Sequence, residues 1–130
     1  MGAIHRRRAD AWRWEGVAVQ DYAADGGRGY AADGVTKQVL IGPADGARRF
    51  AMRYFELAPG RATSLDTHHH DHGVLILRGA GVVQLGDTHR PIGVGDVVYV
   101  APDEVHQFSN TGSEPLGFIC VIPPKTQEVP

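Results

Sequence analysis

Residues 60–79 read G-R-A-T-S-L-D-T-H-H-H-D-H-G-V-L-I-L-R-G. Four of the chain's seven histidines fall between His68 and His72. A solvated loop has no use for four imidazoles in five positions, whereas a metal site does. Imidazole nitrogen is the commonest nitrogen ligand in proteins and suits zinc, copper, iron and nickel. Strand geometry limits which of these rings can share an ion. Side chains at i and i+2 point to the same face, so His68 and His70 lie together with Asp66, and His69 points away. His72 lies roughly 13 Å beyond His68 on a straight strand, at about 3.3 Å per residue. Ligand nitrogens sit only about 2 Å from an ion, so the chain must turn if both bind, and Asp71 and Gly73 suit a tight turn. A further ligand has to come from elsewhere. His106, in A-P-D-E-V-H-Q-F-S-N, opens a short apolar run behind a proline turn and is the natural donor. His89 falls in an expected hairpin turn, and His5 falls near the start of the chain.

Outward from this stretch, 17 glycines and 8 prolines cut the chain of 130 residues into short pieces. Pieces rich in Val, Ile, Tyr and Phe predict strands at Gly16–Gln20, Lys37–Ile41, Phe50–Leu57, Val74–Leu77, Gly81–Leu85, Asp96–Val100, His106–Ser109 and Leu116–Ile122. Turn signals separate them, among them Ala58-Pro59-Gly60, Gly86-Asp87 and Gly112-Ser113-Glu114-Pro115. No long helical period follows residue 35, and Ala23–Gly34 reads as a loop. Many short strands at even spacing define an all-β sandwich or barrel. The length suits one domain: an N-terminal arm and loop over 1–34, a barrel over 35–124 and a tail over 125–130.

Composition excludes several classes. Apolar residues make up 42%, charged residues 22%, and the net charge is −2, so nothing draws the chain to nucleic acid or an anionic membrane. Arg6-Arg7-Arg8 is a short solvated cluster. No apolar run is long enough for a membrane span, and no apolar segment follows the basic start as in a signal peptide. The cytoplasm is the default location. Cys120 is the single cysteine, so no internal disulfide forms. In F-I-C-V-I it is either a buried inert thiol or a neighbour of the metal cavity.

The motifs resemble the cupin superfamily. Its first motif runs Gly, five residues, His-x-His, three or four residues, Glu, six residues, Gly. Here Gly60, Asp66-Thr67-His68, His72 and Gly79 keep that spacing, with Asp66 in place of the first His and His72 in place of the Glu. The second runs Gly, five residues, Pro-x-Gly, two residues, His, three residues, Asn. Gly95, Ala101-Pro102-Asp103, His106 and Asn110 match it, with the proline displaced by one and Asp103 replacing the glycine. The flanking G-V-T-K-Q-V-L-I-G and P-L-G-F-I-C-V-I-P extend the likeness to most of 35–124.

The resemblance implies a single-domain antiparallel β-barrel of jelly-roll type, a homodimer, with one divalent transition metal (Mn, Fe, Ni, Cu or Zn) in its mouth. A histidine in the Glu position is similar to the four-histidine branch of small cupins. The ligand set favoured is His68, His70, His72 and His106, with Asp66 as the alternative to His70.

A metal held by neutral imidazoles keeps its charge and acts as a Lewis acid or a redox centre. The leading expectation is a metal-dependent, dioxygenase-like oxygenase on a small enolisable or phenolic substrate. The alternatives are a non-redox isomerase, lyase or cyclase, and a non-catalytic module that binds a small ligand. No nucleophile elbow, phosphate loop or carboxylate pair is spelled out. Alternation over 50–55 puts Met52 and Tyr54 on one face and Arg53 and Phe55 on the other, and Arg53 and Tyr54 are the candidates to meet a substrate anion or enolate. Phe108 is expected to fill the barrel and Asn110 to support a turn. Trp12 and Trp14 share a face that either joins a second copy or caps the chain's own core.

Overall fold

The computed structural model describes residues 1–22 and 34–124. The expected loop 23–33 and tail 125–130 lie outside the described residues. The described residues form nine strands: β1 (Gln20–Asp21), β2 (Val35–Ile41), β3 (Ala51–Leu57), β4 (His72–Arg78), β5 (Ala80–Leu85), β6 (Thr88–Gly93), β7 (Val97–Val100), β8 (His106–Ser109) and β9 (Leu116–Ile122). They build two antiparallel sheets, a six-stranded one in the order β1-β2-β3-β9-β4-β7 and a three-stranded one in the order β6-β5-β8. Residues 60–66 extend the small sheet along β8. Thr63 N–H donates to the Phe108 carbonyl, and Asp66 and His106 exchange both backbone bonds at 3.0 and 2.9 Å. No helix among the described residues is long and apolar enough to cross a membrane.

Period-two alternation places the core between the sheets. The inward residues are Ala51, Phe55 and Leu57 of β3, Val74 and Ile76 of β4, Val83 of β5, Val98 and Val100 of β7, Phe108 of β8 and Leu116, Phe118, Cys120 and Ile122 of β9. Phe118 stacks on both Phe108 and Phe55, with centroids 4.6 and 5.6 Å apart, and this aromatic stack floors the barrel. His72 and His106 are the first residues of β4 and β8, so both stand at the same open end above that floor.

Strands β4 and β5 form nearly one run that changes sheet at Gly79. Its φ of 77° favours glycine, and a Cβ there would run into the Pro115 carbonyl.

Three sequence expectations are corrected. Thr88–Gly93 is a strand, not an extended turn around His89. The hairpin turn is Gly86-Asp87 alone, and His89 lies exposed in β6. β6 escapes notice because its first four residues, Pro91 among them, are exposed and break the apolar pattern, which an edge strand tolerates. The strand expected at Gly16–Gln20 shrinks to Gln20–Asp21. The residues before it form an irregular arm closed by an Arg7–Trp14 bridge. That arm folds back on its own sheet. Trp12 stacks on Tyr54 at 5.8 Å, Trp14 tilts against it at 5.2 Å, and His5 meets Asp45 at 2.6 Å. Of the two roles open to the tryptophans, capping their own sheet is the one seen. Finally, residues 68–71 are not strand, so His68 and His70 share no strand face.

Candidate metal centre

Each of three histidines reaches the barrel mouth by a different route. His106 opens β8, paired directly to Asp66 on one side and Leu85 on the other. His72 opens β4 opposite Val100. His68 sits on the link between the 60–66 segment and β4, where the chain bends at His69–His70 rather than at Asp71 and Gly73. Polar contacts hold that bend. Asp103 N–H donates to the His68 carbonyl at 2.6 Å, His69 Nδ1 lies 2.7 Å from Asp103 Oδ1, and Tyr99 hydroxyl donates to Asp71 at 2.9 Å. Asp103 occupies the motif position where a glycine was looked for, and its φ of 64° explains the preference. Aspartate tolerates that region better than most residues.

The nitrogens of His68, His72 and His106 that can bind a metal all lie within 4.8 Å of one another. His106 Nδ1–H donates to the Glu104 carbonyl at 3.0 Å, which leaves Nε2 facing the cluster. His72 Nδ1 lies 3.6 Å from Cys120 Sγ, and its Nε2 is buried with no hydrogen-bond partner. A buried, orphaned imidazole nitrogen aimed at two other imidazoles is what a metal ligand looks like without its ion. Burial, followed by the positive potential of His106, His70, His68 and Arg53, drives the His72 pKa down to about 3. His72 is therefore neutral and ready to donate its lone pair. A divalent ion bound by such nitrogens would take them at ~2.1 Å.

The two residues left open for a fourth position part company here. His70 is half-buried and stacks on His68 and His72, with centroids 5.0 and 4.7 Å away. Asp66 is buried and occupied: Ser64 hydroxyl donates to its Oδ2 at 2.6 Å, and Tyr22 hydroxyl approaches the same oxygen at 3.5 Å. Asp66 pairs directly with His106, so its carboxylate lies on the inward face of the small sheet.

Arg53 and Tyr54 also separate. Arg53 points inward, with Nη2 3.4 Å from Cys120 Sγ. Tyr54 points the other way, beneath Trp12 and Trp14, and its hydroxyl donates to Glu56 at 3.1 Å. Tyr54 is fully buried. Burial and the Glu56 charge raise its pKa, so it stays a neutral phenol remote from the histidines. Cys120 is both buried and against the cavity, a contact that links residues 48 apart in sequence. Burial raises its thiol pKa. Asn110 supports the turn as expected. Its amide donates to the Leu57 and Glu114 carbonyls, and its oxygen accepts from Gly112 N–H. Sequence reasoning gave no role to Ser64 or Tyr22, the partners of Asp66, because nothing in their spacing marks them.

The fold and the three converging imidazoles define a small antiparallel β-barrel able to hold a metal ion in its mouth. The chain belongs to the cupin domain family, whose characteristic sequence matches residues 53–122. It is 34% identical over 111 residues to the 1-methylthio-D-xylulose 5-phosphate methylsulfurylase of Rhodospirillum rubrum, spanning 85% of this chain and 69% of that protein. The polyketide cyclase RemF of Streptomyces resistomycificus superposes with a TM-score of 0.76 at 26% identity, over 95% of this chain and 79% of that one. A cupin-superfamily sugar phosphate isomerase of Silicibacter pomeroyi superposes with a TM-score of 0.72 at 26% identity, over 83% and 71%.

Proposed function

We propose that this chain is a metal-dependent enzyme that converts a small enolisable substrate without net oxidation, as an isomerase, lyase or cyclase does. The convergence of His68, His72 and His106 carries the reading. A divalent ion bound there would supply Lewis acidity toward a carbonyl or enolate oxygen, undiminished because imidazoles add no negative charge. His70, stacked on two of the three rings, is the fourth ligand on this reading. Glu104 carbonyl and Cys120 hold the rings of His106 and His72 so that Nε2 faces the site. Asp66, bound to Ser64 and facing inward, is the group that takes and returns a proton. Tyr54 has no part in it. Support comes from the relatives, which are named for a methylsulfurylase, a cyclase and an isomerase. The oxygenase expected from the histidines alone has no further observation in its favour.

The test has two parts. Elemental analysis of the native protein is expected to show about one transition metal per chain, lost in a His68→Ala/His106→Ala variant. Zinc-loaded protein is then expected to speed exchange of the α-protons of a small hydroxyketone in D2O, with no oxygen consumed. Absence of metal after reconstitution would sink the enzyme reading. Oxygen uptake in step with turnover would install the oxygenase instead.

A further inference from the structure

Arg53 is 9% exposed and lies inside the barrel. Its Nη2 rests on Cys120 Sγ, and its Cζ stands 4.9 Å over the Phe55 ring. Its Nε is buried with no hydrogen-bond partner. No Asp or Glu of the described residues pairs with it. Sulfur and an aromatic face are weak partners, and neither neutralises a full charge. An uncompensated buried cation is strongly unfavourable, and a methionine or leucine would fill the same volume at no such penalty. The guanidinium is also one sulfur atom from the histidine cluster, since Cys120 Sγ touches both Arg53 and His72.

We propose that Arg53 is a substrate-binding residue for an oxyanion, a carboxylate or a phosphate carried by the substrate close to its reacting carbonyl. A guanidinium presents a planar fork of donors that fits either group. The incoming anion supplies the countercharge and hydrogen-bond acceptor that no carboxylate of the described residues offers. Its place one sulfur atom from His72 would bring the carbonyl of the same molecule towards the histidines that would hold a metal. The inference rests on the metal-enzyme reading for that second anchor, but not for the first.

The experiment is calorimetric titration, with thermal denaturation, of the full chain in metal-loaded and metal-free forms. Malonate and inorganic phosphate are the probes, and native protein, Arg53→Met and Arg53→Lys are compared. Malonate or phosphate is expected to bind native protein at one per chain, and whichever binds identifies the group. Loss of charge-assisted hydrogen bonds is expected to weaken binding about tenfold or more in Arg53→Met, with Arg53→Lys between the two. Without ligand, Arg53→Met is expected to keep its metal and to melt no lower than native, as a ligand-serving charge requires and a structural one forbids. Equal binding by native and Arg53→Met, or no binding of either probe to native protein, overturns the proposal. Should Arg53→Met not fold, it is also overturned, and so it is if Arg53→Lys binds as tightly as native. A chain that takes up no metal overturns the metal-enzyme reading alone, and titration of that same metal-free protein still decides the role of Arg53.

Discussion

His72 ties the site to folding in a way that a denaturation experiment reads directly. In the folded chain its pKa falls to about 3, first because it is buried and then because three imidazoles and Arg53 surround it. In the unfolded chain it returns to about 6.5. Above pH 6.5 neither state takes the proton, and the stability is fully present. As pH falls below that value the unfolded state binds a proton that the folded state refuses, so stability is lost until the folded pKa is reached. For one group with these two values the loss between pH 8 and pH 5 is about 2 kcal/mol, and at pH 4 about 3 kcal/mol.

The assay is urea denaturation of chelator-stripped protein at pH 8 and pH 5. With a urea slope of 1–3 kcal/mol per molar, typical of small domains, a loss of this size moves the midpoint by roughly 1 M. Other titrating groups contribute too, so the decisive quantity is a difference. His72→Gln keeps a polar side chain but does not titrate in this window. It is expected to lose about 2 kcal/mol less than native between the two pH values. If native and variant midpoints shift equally, His72 is not the buried neutral ring described above. In metal-loaded native protein the same window is expected to show a steeper loss, because acid also strips the ligand nitrogens.

Three further outcomes follow from the packing. Asn110→Ala strands the Leu57 and Glu114 carbonyls and the Gly112 N–H. It is expected to destabilise by about 3 kcal/mol in urea, and a value below about 1 kcal/mol would contradict that bonding. Trp12→Ala removes the stacked ring over Tyr54 and is expected to lower stability by about 2 kcal/mol while leaving metal content unchanged by elemental analysis. Loss of metal in that variant would contradict the separation of the two faces of β3. Cys120, buried and with a raised thiol pKa, is expected to resist a thiol reagent such as DTNB in native protein and to react at one thiol per chain in urea. Prompt stoichiometric labelling of the folded protein would refute its burial.

The residues most legible in the sequence are those whose role depends on spacing alone. Strands β3, β8 and β9 stood out because their apolar period is undisturbed, and His72 and His106 because the spacing of both motifs points to them. Residues 60–66 did not stand out as part of a sheet. The segment joins the small sheet through backbone bonds to β8 while showing polar side chains, so period and composition are silent about it. Strand β3 shows the same limit from the other side. Alternation correctly divides Arg53 from Tyr54, but both end up buried, one in the barrel and one under Trp12 and Trp14. The cap comes from an arm some forty residues earlier, and no local pattern says which face it will cover.

The choice between Asp66 and His70 shows why ligand identity is harder to read than ligand spacing. On a continuous strand Asp66, His68 and His70 share a face, so alternation alone does not separate Asp66 from His70. The chain breaks that equivalence by bending at His69–His70. The bend depends on contacts between distant segments: Asp103 holding the His68 carbonyl and the His69 ring, and Tyr99 holding Asp71. Beyond the bend, His70 turns back onto His68 and His72. Before it, Asp66 stays in the sheet, paired to His106 and bound by Ser64. On the proposed reading His70 completes the ligand set, and Asp66, held by Ser64, handles protons beside it. Asp103, in its left-handed conformation, holds the bend that separates the two. Disturbing that turn would move His68 before it moved His72 or His106, because only His68 among the three is held by the loop rather than by a strand.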